Sequence, residues 1–158
     1  YRTPGSGGNL PAGELSFGLE EESAYGKIVA DLSIDVLGIL REGKINIYVR
    51  NGCIQDIEGK GSERLRSLLK REVNLRNIVE IGIGTNPYGI LGRSVLEDEK
   101  KYGTAHIGFG NNTYFGGSIN GAHYDCTIYE PTIEIDGRKI HIDDEFQKTF
   151  ERALISKE

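Results

Sequence analysis

The sequence has few of the residues and segments that assign a protein to a class at once. It contains no methionine, no tryptophan, two cysteines and three histidines in 158 residues. Cys53 and Cys126 have no metal-type spacing, and two thiols give no disulfide framework, so a cytoplasmic compartment fits best. No apolar run approaches the roughly 20 residues that span a bilayer, and no signal-peptide pattern opens the chain. These absences predict a soluble protein.

The charge pattern argues against two classes of binding partner. The formal net charge is -5, the pI is about 5.3, and the basic residues are dispersed among the acids. This argues against nucleic acid and membranes as partners and leaves a peptide or a small molecule as the substrate. The length suits one domain over residues 1 to 158. Because the chain lacks methionine and opens "YRTPGSGG", we expect it to be part of a longer protein whose other domain lies upstream.

The first half of the chain combines strand patterns with one helix pattern. The alternation in "KIVADLSI", residues 27 to 34, predicts a half-buried strand. Residues 45 to 58 predict a hairpin that turns at the Asn-Gly pair 51 to 52, a strong hairpin signal between alternating segments. In residues 62 to 71 the leucines recur at helical spacing, which predicts a short amphipathic helix with Ser62 as its N-cap.

The second half predicts further strands at "IVEIGIG", "TAHIGFG" and "AHYDCTIYE", followed by a hairpin that turns at the Asp-Gly pair 136 to 137. One or two helical turns are predicted within residues 91 to 101, and a surface helix within "DDEFQKTFERALI" at the end. The expected fold class is α+β, with a strongly bent antiparallel or mixed sheet, or a partial barrel, and a few short helices.

The stretch "AHYDC" contains two candidate metal ligands. Residues i and i+2 of a strand project to the same face, so His123 and Asp125 are able to share one metal ion while Cys126 turns to the opposite layer. Imidazole nitrogen and carboxylate oxygen suit zinc, manganese, cobalt or iron(II). A polar strand face without a metal is the alternative.

Three more residues have the same chemistry in unusual places. His106 lies on a neighbouring predicted strand between two glycines, which allow close approach of backbone or ligand. Glu80 interrupts an apolar run, where an unpaired carboxylate is costly to bury, unless that strand face is open to solvent. Glu14 follows a Pro-Ala-Gly turn. If these residues converged with His123 and Asp125, they would form a site for two metal ions.

Four blocks in chain order, "NLPAGE", "EIGIGTNP", "DEKKYGTAHIGFG" and "AHYDC", resemble blocks of the aminopeptidase T family of metalloaminopeptidases. The resemblance covers roughly residues 9 to 128 and implies the C-terminal metal-binding domain of a homodimeric protein, with an upstream α/β domain in the same chain. It implies that the metal ligands are Glu14, Glu80, His106, His123 and Asp125. It also implies catalytic roles for Glu80, Glu99 and Tyr114, although Glu99 could instead be a structural partner of Lys100.

The resemblance implies a hydrolase that cleaves the peptide bond next to a free N-terminus. Two zinc, cobalt or manganese ions would activate a bridging water, and a glutamate would carry the proton to the leaving amine. We expect Glu14, Glu80 and His106 at one ion and His123 with Asp125 at the other.

Two alternatives remain open on the sequence. His106, His123 and Asp125 are also the two imidazoles and one carboxylate of a non-haem iron(II) oxygenase. Dihydroxypyridine ring-opening dioxygenases resemble the aminopeptidase T family in this region, and Glu14 and Glu80 would then lie outside the ligand set. The third reading is a non-catalytic metal-binding or dimerisation domain. The number and kind of metal ions separate the two enzymes.

Overall fold

The structure, a computed structural model, describes residues 12–141. The strands in chain order are β1 (Glu14–Gly18), β2 (Gly26–Ala30), β3 (Ser33–Ile34), β4 (Gly38–Ile39), β5 (Ile45–Arg50), β6 (Cys53–Glu58), β7 (Ile78–Gly84), β8 (Thr104–Gly110), β9 (His123–Tyr129), β10 (Thr132–Ile135) and β11 (Arg138–His141). The α-helices are α1 (Glu63–Arg71) and α2 (Val95–Asp98), and two short 3-10 helices cover Val73–Arg76 and Thr113–Phe115. The expected α+β class is confirmed.

The largest sheet has six strands in the order β1-β7-β8-β9-β3-β4. Each neighbouring pair in it is antiparallel. A long segment, residues 85 to 103, joins β7 to β8 and contains α2, and a loop over residues 111 to 122 joins β8 to β9. Both connections cover the same face of this sheet.

A second sheet, in the order β2-β5-β6, contains the predicted hairpin. Asn51 and Gly52 both have positive φ, 51° and 68°, as the tight two-residue turn requires. The inward-facing residues of this hairpin pack with the leucines of α1 and with one face of the six-stranded sheet. The fully buried members of this core include Ile45, Ile47, Ile54, Ile57, Leu65, Leu75, Phe109 and Cys126.

The register of the six-stranded sheet divides its side chains into two faces. Directly opposed residues of an antiparallel pair point to the same side. Glu80 is opposite Gly18 and Gly108, and Gly108 is opposite Asp125. The polar face formed by this pattern contains Glu14, Ser16, Gly18, Glu80, Gly82, Gly84, Thr104, His106, Gly108, His123, Asp125 and Thr127. The apolar face contains Leu15, Phe17, Ile81, Ile83, Ala105, Ile107, Phe109, Tyr124, Cys126 and Ile128.

Several sequence expectations need correction. The strand predicted over residues 27 to 34 is two strands in different sheets, because the chain crosses between the sheets at Asp31, whose carboxylate accepts the N–H of Tyr129. The sheets are not closed, so the partial barrel is wrong. Ser62 precedes α1, but its hydroxyl makes no capping hydrogen bond. The predicted helix in "DDEFQKTFERALI" lies outside the described residues.

Within residues 12–141, no helix is both long and apolar enough to cross a bilayer. The expectations of a cytoplasmic location, a homodimer and an upstream domain stay predictions.

Candidate metal centre

Three adjacent strands bring four potential metal ligands together on the polar face. Glu80 lies on β7, His106 on β8, and His123 with Asp125 on β9. The alternation of each strand sends the four side chains to the same side, and the antiparallel register places them in neighbouring rows. Their convergence therefore depends on the pairing of β7 with β8 and of β8 with β9.

Glycines on the polar face make room for the imidazole rings. A Cβ atom added to Gly82 would overlap the ring of His106. One added to Gly108 would lie 2.7 Å from Nε2 of His123 and 2.8 Å from Cβ of Glu80, closer than real Cβ contacts. Neither glycine has a positive φ, so steric space rather than backbone conformation requires glycine at both positions.

Three of the four donors lie at distances that suit one ion, and Nε2 of His106 lies outside that group, next to Glu80. Nε2 of His123 is 3.0 Å from Oε2 of Glu80 and 3.5 Å from Oδ1 of Asp125, and Nε2 of His106 is 3.7 Å from Oε1 of Glu80. Ligands at right angles around an ion about 2.1 Å away are about 3 Å apart. The donors of Glu80, His123 and Asp125 all lie within 4.8 Å of one another.

Both imidazoles are oriented by backbone carbonyls behind them. Nδ1 of His123 is 2.7 Å from the carbonyl oxygen of Asn111, and Nδ1 of His106 is 3.2 Å from that of Glu99. When Nδ1 donates to these acceptors, Nε2 of each ring points into the site. Such hydrogen bonds behind a ligand fix the ring orientation and raise its basicity, as at many metal sites.

The electrostatics of the site favour ionised carboxylates and protonated imidazoles. The carboxylates of Asp125 and Glu80 raise the pKa of His123 to about 11, against the effect of burial. Burial disfavours ionisation of Glu80, but His106 and His123 outweigh it and lower the pKa of this carboxyl to about 2. Burial likewise opposes the charged form of His106, yet Glu80 and its acidic neighbours raise its pKa. A divalent cation would replace these imidazole protons at little change in net charge.

One buried carboxylate oxygen has the chemistry of a cation ligand. Oδ1 of Asp125 is buried and accepts no hydrogen bond from the described residues; at 3.5 Å, His123 makes only an ion-pair contact with it. A buried carboxylate oxygen without a hydrogen-bond donor is costly unless it binds a cation. Together with two imidazoles, it belongs to the donor set that suits zinc, manganese or iron(II).

Glu14 and Glu99 both contact a buried lysine, and Glu14 also lies near the four-residue cluster. The side chain of Lys100 is 1% exposed, and its ammonium donates to Oε1 of Glu99 and, at 3.1 Å, to Oε2 of Glu14. Oε2 of Glu14 is also 3.8 Å from Nε2 of His106. Burial raises the pKa of Glu99, with the ammonium opposing it, and the two carboxylates raise the pKa of Lys100 despite its burial.

Tyr114 lies apart from this cluster. Its side chain is 93% exposed, and its ring makes an edge contact with Phe115 in the loop between β8 and β9. The loop is held by Glu21, whose carboxylate accepts hydrogen bonds from the Asn112 amide and from the backbone N–H and hydroxyl of Ser118. The catalytic role expected for Tyr114 stays a prediction without a contact to support it among residues 12–141.

Sequence reasoning missed two charged residues of the site. Lys100 appeared only as a possible partner of Glu99, because an irregular segment gives no periodicity from which to read its burial. Asp35 follows β3 and lies beside Asp125, whose N–H donates to its Oδ2 at 2.8 Å. Burial raises the pKa of Asp35. The position of Asp35 depends on the pairing of β3 with β9. A single strand over residues 27 to 34 does not predict that pairing.

Comparison with known proteins gives one informative similarity. No protein-family model matches the chain, and no curated protein does. Among solved structures, the fold is similar to that of the 2,5-dihydroxypyridine dioxygenase from Pseudomonas putida KT2440, with a TM-score of 0.72 and 24% sequence identity. The match covers 81% of this chain and 42% of that chain, so this chain spans less than half the length of the dioxygenase. At this identity, the similarity establishes the fold.

This finding corrects the expected family and reaction. The assignment to the aminopeptidase T family is wrong, and with it the assignment as a metalloprotease-type hydrolase, since the matching structure is that of a dioxygenase. The error has a physical cause: the matched blocks contain candidate metal ligands and glycines that make room for them, and hydrolases and oxygenases need the same ligand types. The two-metal zinc or cobalt centre is unsupported, whereas a candidate metal site is present at Glu80, His123 and Asp125.

Proposed function

We propose that the chain carries the metal centre of a non-haem iron(II) dioxygenase that opens the ring of a small dihydroxylated aromatic compound. The observation that supports this most is the placement of two imidazoles on the same sheet face as the buried Oδ1 atom of Asp125, which makes an ion pair with His123 at 3.5 Å. The fold supports the same reading, because it is shared with a 2,5-dihydroxypyridine dioxygenase. A dihydroxylated nitrogen heterocycle is therefore the first substrate to test.

His106, His123 and Asp125 are the residues that would hold the ion as two imidazoles and one carboxylate. Glu80, whose two carboxylate oxygens face the two imidazoles at 3.0 and 3.7 Å, is the fourth donor within reach. Bound iron(II) would supply the redox chemistry by which dioxygen is activated for ring opening. The low pKa of Glu80 keeps this carboxylate ionised at neutral pH, so it acts as an acceptor there.

The surrounding residues orient this ligand set. The carbonyl groups of Asn111 and Glu99 hold the two imidazoles with Nε2 towards the ion. Glu99 is 6% exposed and hydrogen-bonded to Lys100. We therefore place Glu99 and Glu14 next to the metal site, where they act on it through Lys100 and His106. We therefore propose that Glu99 is a positioning residue, in place of the direct catalytic role first expected.

Metal content tests the centre. The full chain would be loaded with iron(II) under anaerobic conditions, freed of unbound metal and analysed for elemental iron beside the double variant His123→Ala with Asp125→Ala. We expect one iron per chain in the wild type and a loss of at least about 100-fold in affinity in the variant, in line with the loss of two of its ligands. Asp56→Ala, on β6 in the other sheet, removes an exposed carboxylate as the matched control.

Activity tests the reaction separately. The iron-loaded chain is mixed with 2,5-dihydroxypyridine in oxygenated buffer, and oxygen uptake is followed together with loss of the ring absorbance. Stoichiometric oxygen uptake and ring loss, both absent from the double variant, support the dioxygenase. One bound iron without either signal for this or related dihydroxylated rings would leave a metal-binding domain and reject the proposed reaction.

A further inference from the structure

Lys100 is the largest fully buried side chain that carries a charge in the described residues. Lysine is almost never fully buried unless its ammonium group is paired, because removing the charge from water is costly. Here the ammonium is enclosed between the polar face of the sheet and the segment that joins β7 to β8. The close approach is direct: a Cβ atom on Gly84 would collide with the carbonyl oxygen of Lys101, the next residue.

The two carboxylates that pair with Lys100 are those expected to serve a second metal ion or the catalytic step. Oε1 of Glu99 accepts one hydrogen bond from the ammonium, and Oε2 of Glu14 accepts another at 3.1 Å. The same Oε2 atom of Glu14 is the one that faces Nε2 of His106, at 3.8 Å. A single oxygen atom is thus shared between the lysine and the side of the cluster next to His106.

A second divalent ion on this side would need that oxygen. Its nearest carboxylate donors are Oε2 of Glu14 and Oε1 of Glu80, which lie 3.8 and 3.7 Å from Nε2 of His106, and that nitrogen would bind only one of the two ions. An ion bound to Oε2 of Glu14 would lie within about 5 Å of the ammonium, given a metal–oxygen bond of about 2.1 Å. Lys100 is 1% exposed and the Glu14 side chain is 28% exposed, so water only partly screens the repulsion between two cations at this separation.

We infer that Lys100 restricts the centre to one metal ion, by holding Glu14 in an ammonium contact at the place where a second ion would bind. This inference rests on the proposed single-iron function and deepens it. Lys100 acts as a positioning residue that contacts neither substrate nor the ion. Lys100 thereby limits to one metal ion a cluster whose ligand types alone would suit two ions.

Metal stoichiometry of Lys100→Met tests the inference. The 158-residue chain, freed of metal with chelator, is dialysed against increasing cobalt(II), and bound cobalt is counted by elemental analysis and by its visible absorption bands. The wild type is expected to bind one cobalt per chain up to millimolar concentration. The variant is expected to bind a second, with affinity raised at least about 100-fold over any second ion of the wild type, because the repelling charge is gone.

Two further variants make the result specific. Adding Glu14→Gln to Lys100→Met is expected to return the count to one, since the second ion depends on that carboxylate. Lys101→Met is the matched control, because its ammonium bonds the carbonyl oxygen of Pro87 instead of a site carboxylate. If Lys100→Met does not fold, Lys100→Met with Glu99→Gln removes one charge of each sign and leaves Glu14 to bind the second ion.

The outcomes separate this inference from the proposed function. One ion in the wild type and still one in the folded Lys100 variants overturns the inference and leaves the single-metal centre intact. Two ions in the wild type overturn both, because Lys100 then excludes nothing and the centre is dinuclear. No ion in any variant, even after loading with iron(II) or cobalt(II), also overturns both.

Discussion

The two faces of the six-stranded sheet are made by the same strands and differ in almost every property. On β8, His106 and Gly108 point to the polar face, whereas Ile107 and Phe109 point to the apolar one. The apolar face packs against the second sheet and α1 through large side chains. On the polar face, glycines stand where large side chains would otherwise pack, and the imidazole rings lie across the strands in that space. One face therefore stabilises the fold, and the other presents the candidate metal ligands.

Burial does not follow polarity in this sheet. Glu80 is 7% exposed and His106 is 1% exposed, because the connections after β7 and β8 cover the polar face. Phe17, on the apolar face at the outer strand β1, is 51% exposed. Polar groups are thus enclosed where the low effective dielectric strengthens their interactions, and their pairing must be nearly complete. Oδ1 of Asp125 and Oγ1 of Thr127, both on this polar face, lack a hydrogen bond to the described residues, and of the two only Asp125 belongs to the candidate metal cluster.

The largest expected effect is on the apolar face. Phe109→Ala removes a fully buried ring from the core and should lower the free energy of unfolding by about 3 to 5 kcal/mol, from lost burial and the cavity left behind. Urea denaturation of the metal-free protein measures it. At low temperature, the folded variant should still bind one iron. A loss below about 1 kcal/mol would mean that this face does not carry the stability assigned to it.

The next effect is on the polar face. Gly108→Ala places a methyl group 2.7 Å from Nε2 of His123 and 2.8 Å from Cβ of Glu80, so ring and carboxylate must move apart. We expect iron affinity to fall about 100-fold, equivalent to about 2.7 kcal/mol. Competition with a chelator measures it. Gly89→Ala is the matched control, since its nearest atoms, 3.3 Å away on Lys101, have only to shift slightly. Equal affinity in the two variants would contradict the steric role of Gly108.

The division of the six-stranded sheet into a polar and an apolar face could be predicted in part from the sequence. The two-residue period of a strand is enough to place His123 and Asp125 on one face and Cys126 on the other, and the structure has them there. The hairpin at Asn51 was equally predictable, because its turn is local. Bringing Glu80 and His106 to the same place requires the register between strands distant in the chain. That register depends on packing and backbone pairing, and single strands do not encode it.

The rest of the site was beyond sequence reasoning for physical reasons. Lys100 lies in an irregular segment, whose burial arises only when it folds back over the sheet. Asp35 was hidden because the chain changes sheets after β2. The reaction was predicted wrongly because imidazoles and carboxylates serve hydrolases and oxygenases alike, so ligand identity does not fix what the metal does.

The protons on the polar face give a third, smaller effect. The pKa of His123 is raised from 6.5 to about 11, so its contribution to the stability of the metal-free protein is full below pH 6.5 and is lost as the pH rises through about 11. Metal binding must displace this proton. Between pH 6.5 and about 9, we therefore expect metal affinity to rise about tenfold per pH unit, or 1.4 kcal/mol, for each proton released.

Calorimetric titration with cobalt(II) in two buffers of different ionisation enthalpy counts the protons directly. A count between one and two per ion fits the displacement of protons from His123 and, in part, His106, whose pKa is also raised. Phe109 has no ionisable group, so Phe109→Ala should leave the count unchanged. An affinity independent of pH over this interval would show that the imidazoles are already neutral before the metal binds.

The smallest effect is expected from the same substitution at the outer edge of the apolar face. Phe17→Ala changes a residue of the same type, on the same face as Phe109, but one that is 51% exposed instead of buried. Since half of the ring already contacts water and no core is opened, the free energy of unfolding should fall by less than about 1 kcal/mol. Parallel urea titrations of the two phenylalanine variants compare them directly. If Phe17→Ala proved as costly as Phe109→Ala, the outer part of this face would have to be covered in solution, and burial within the described residues would not explain the stability of the sheet.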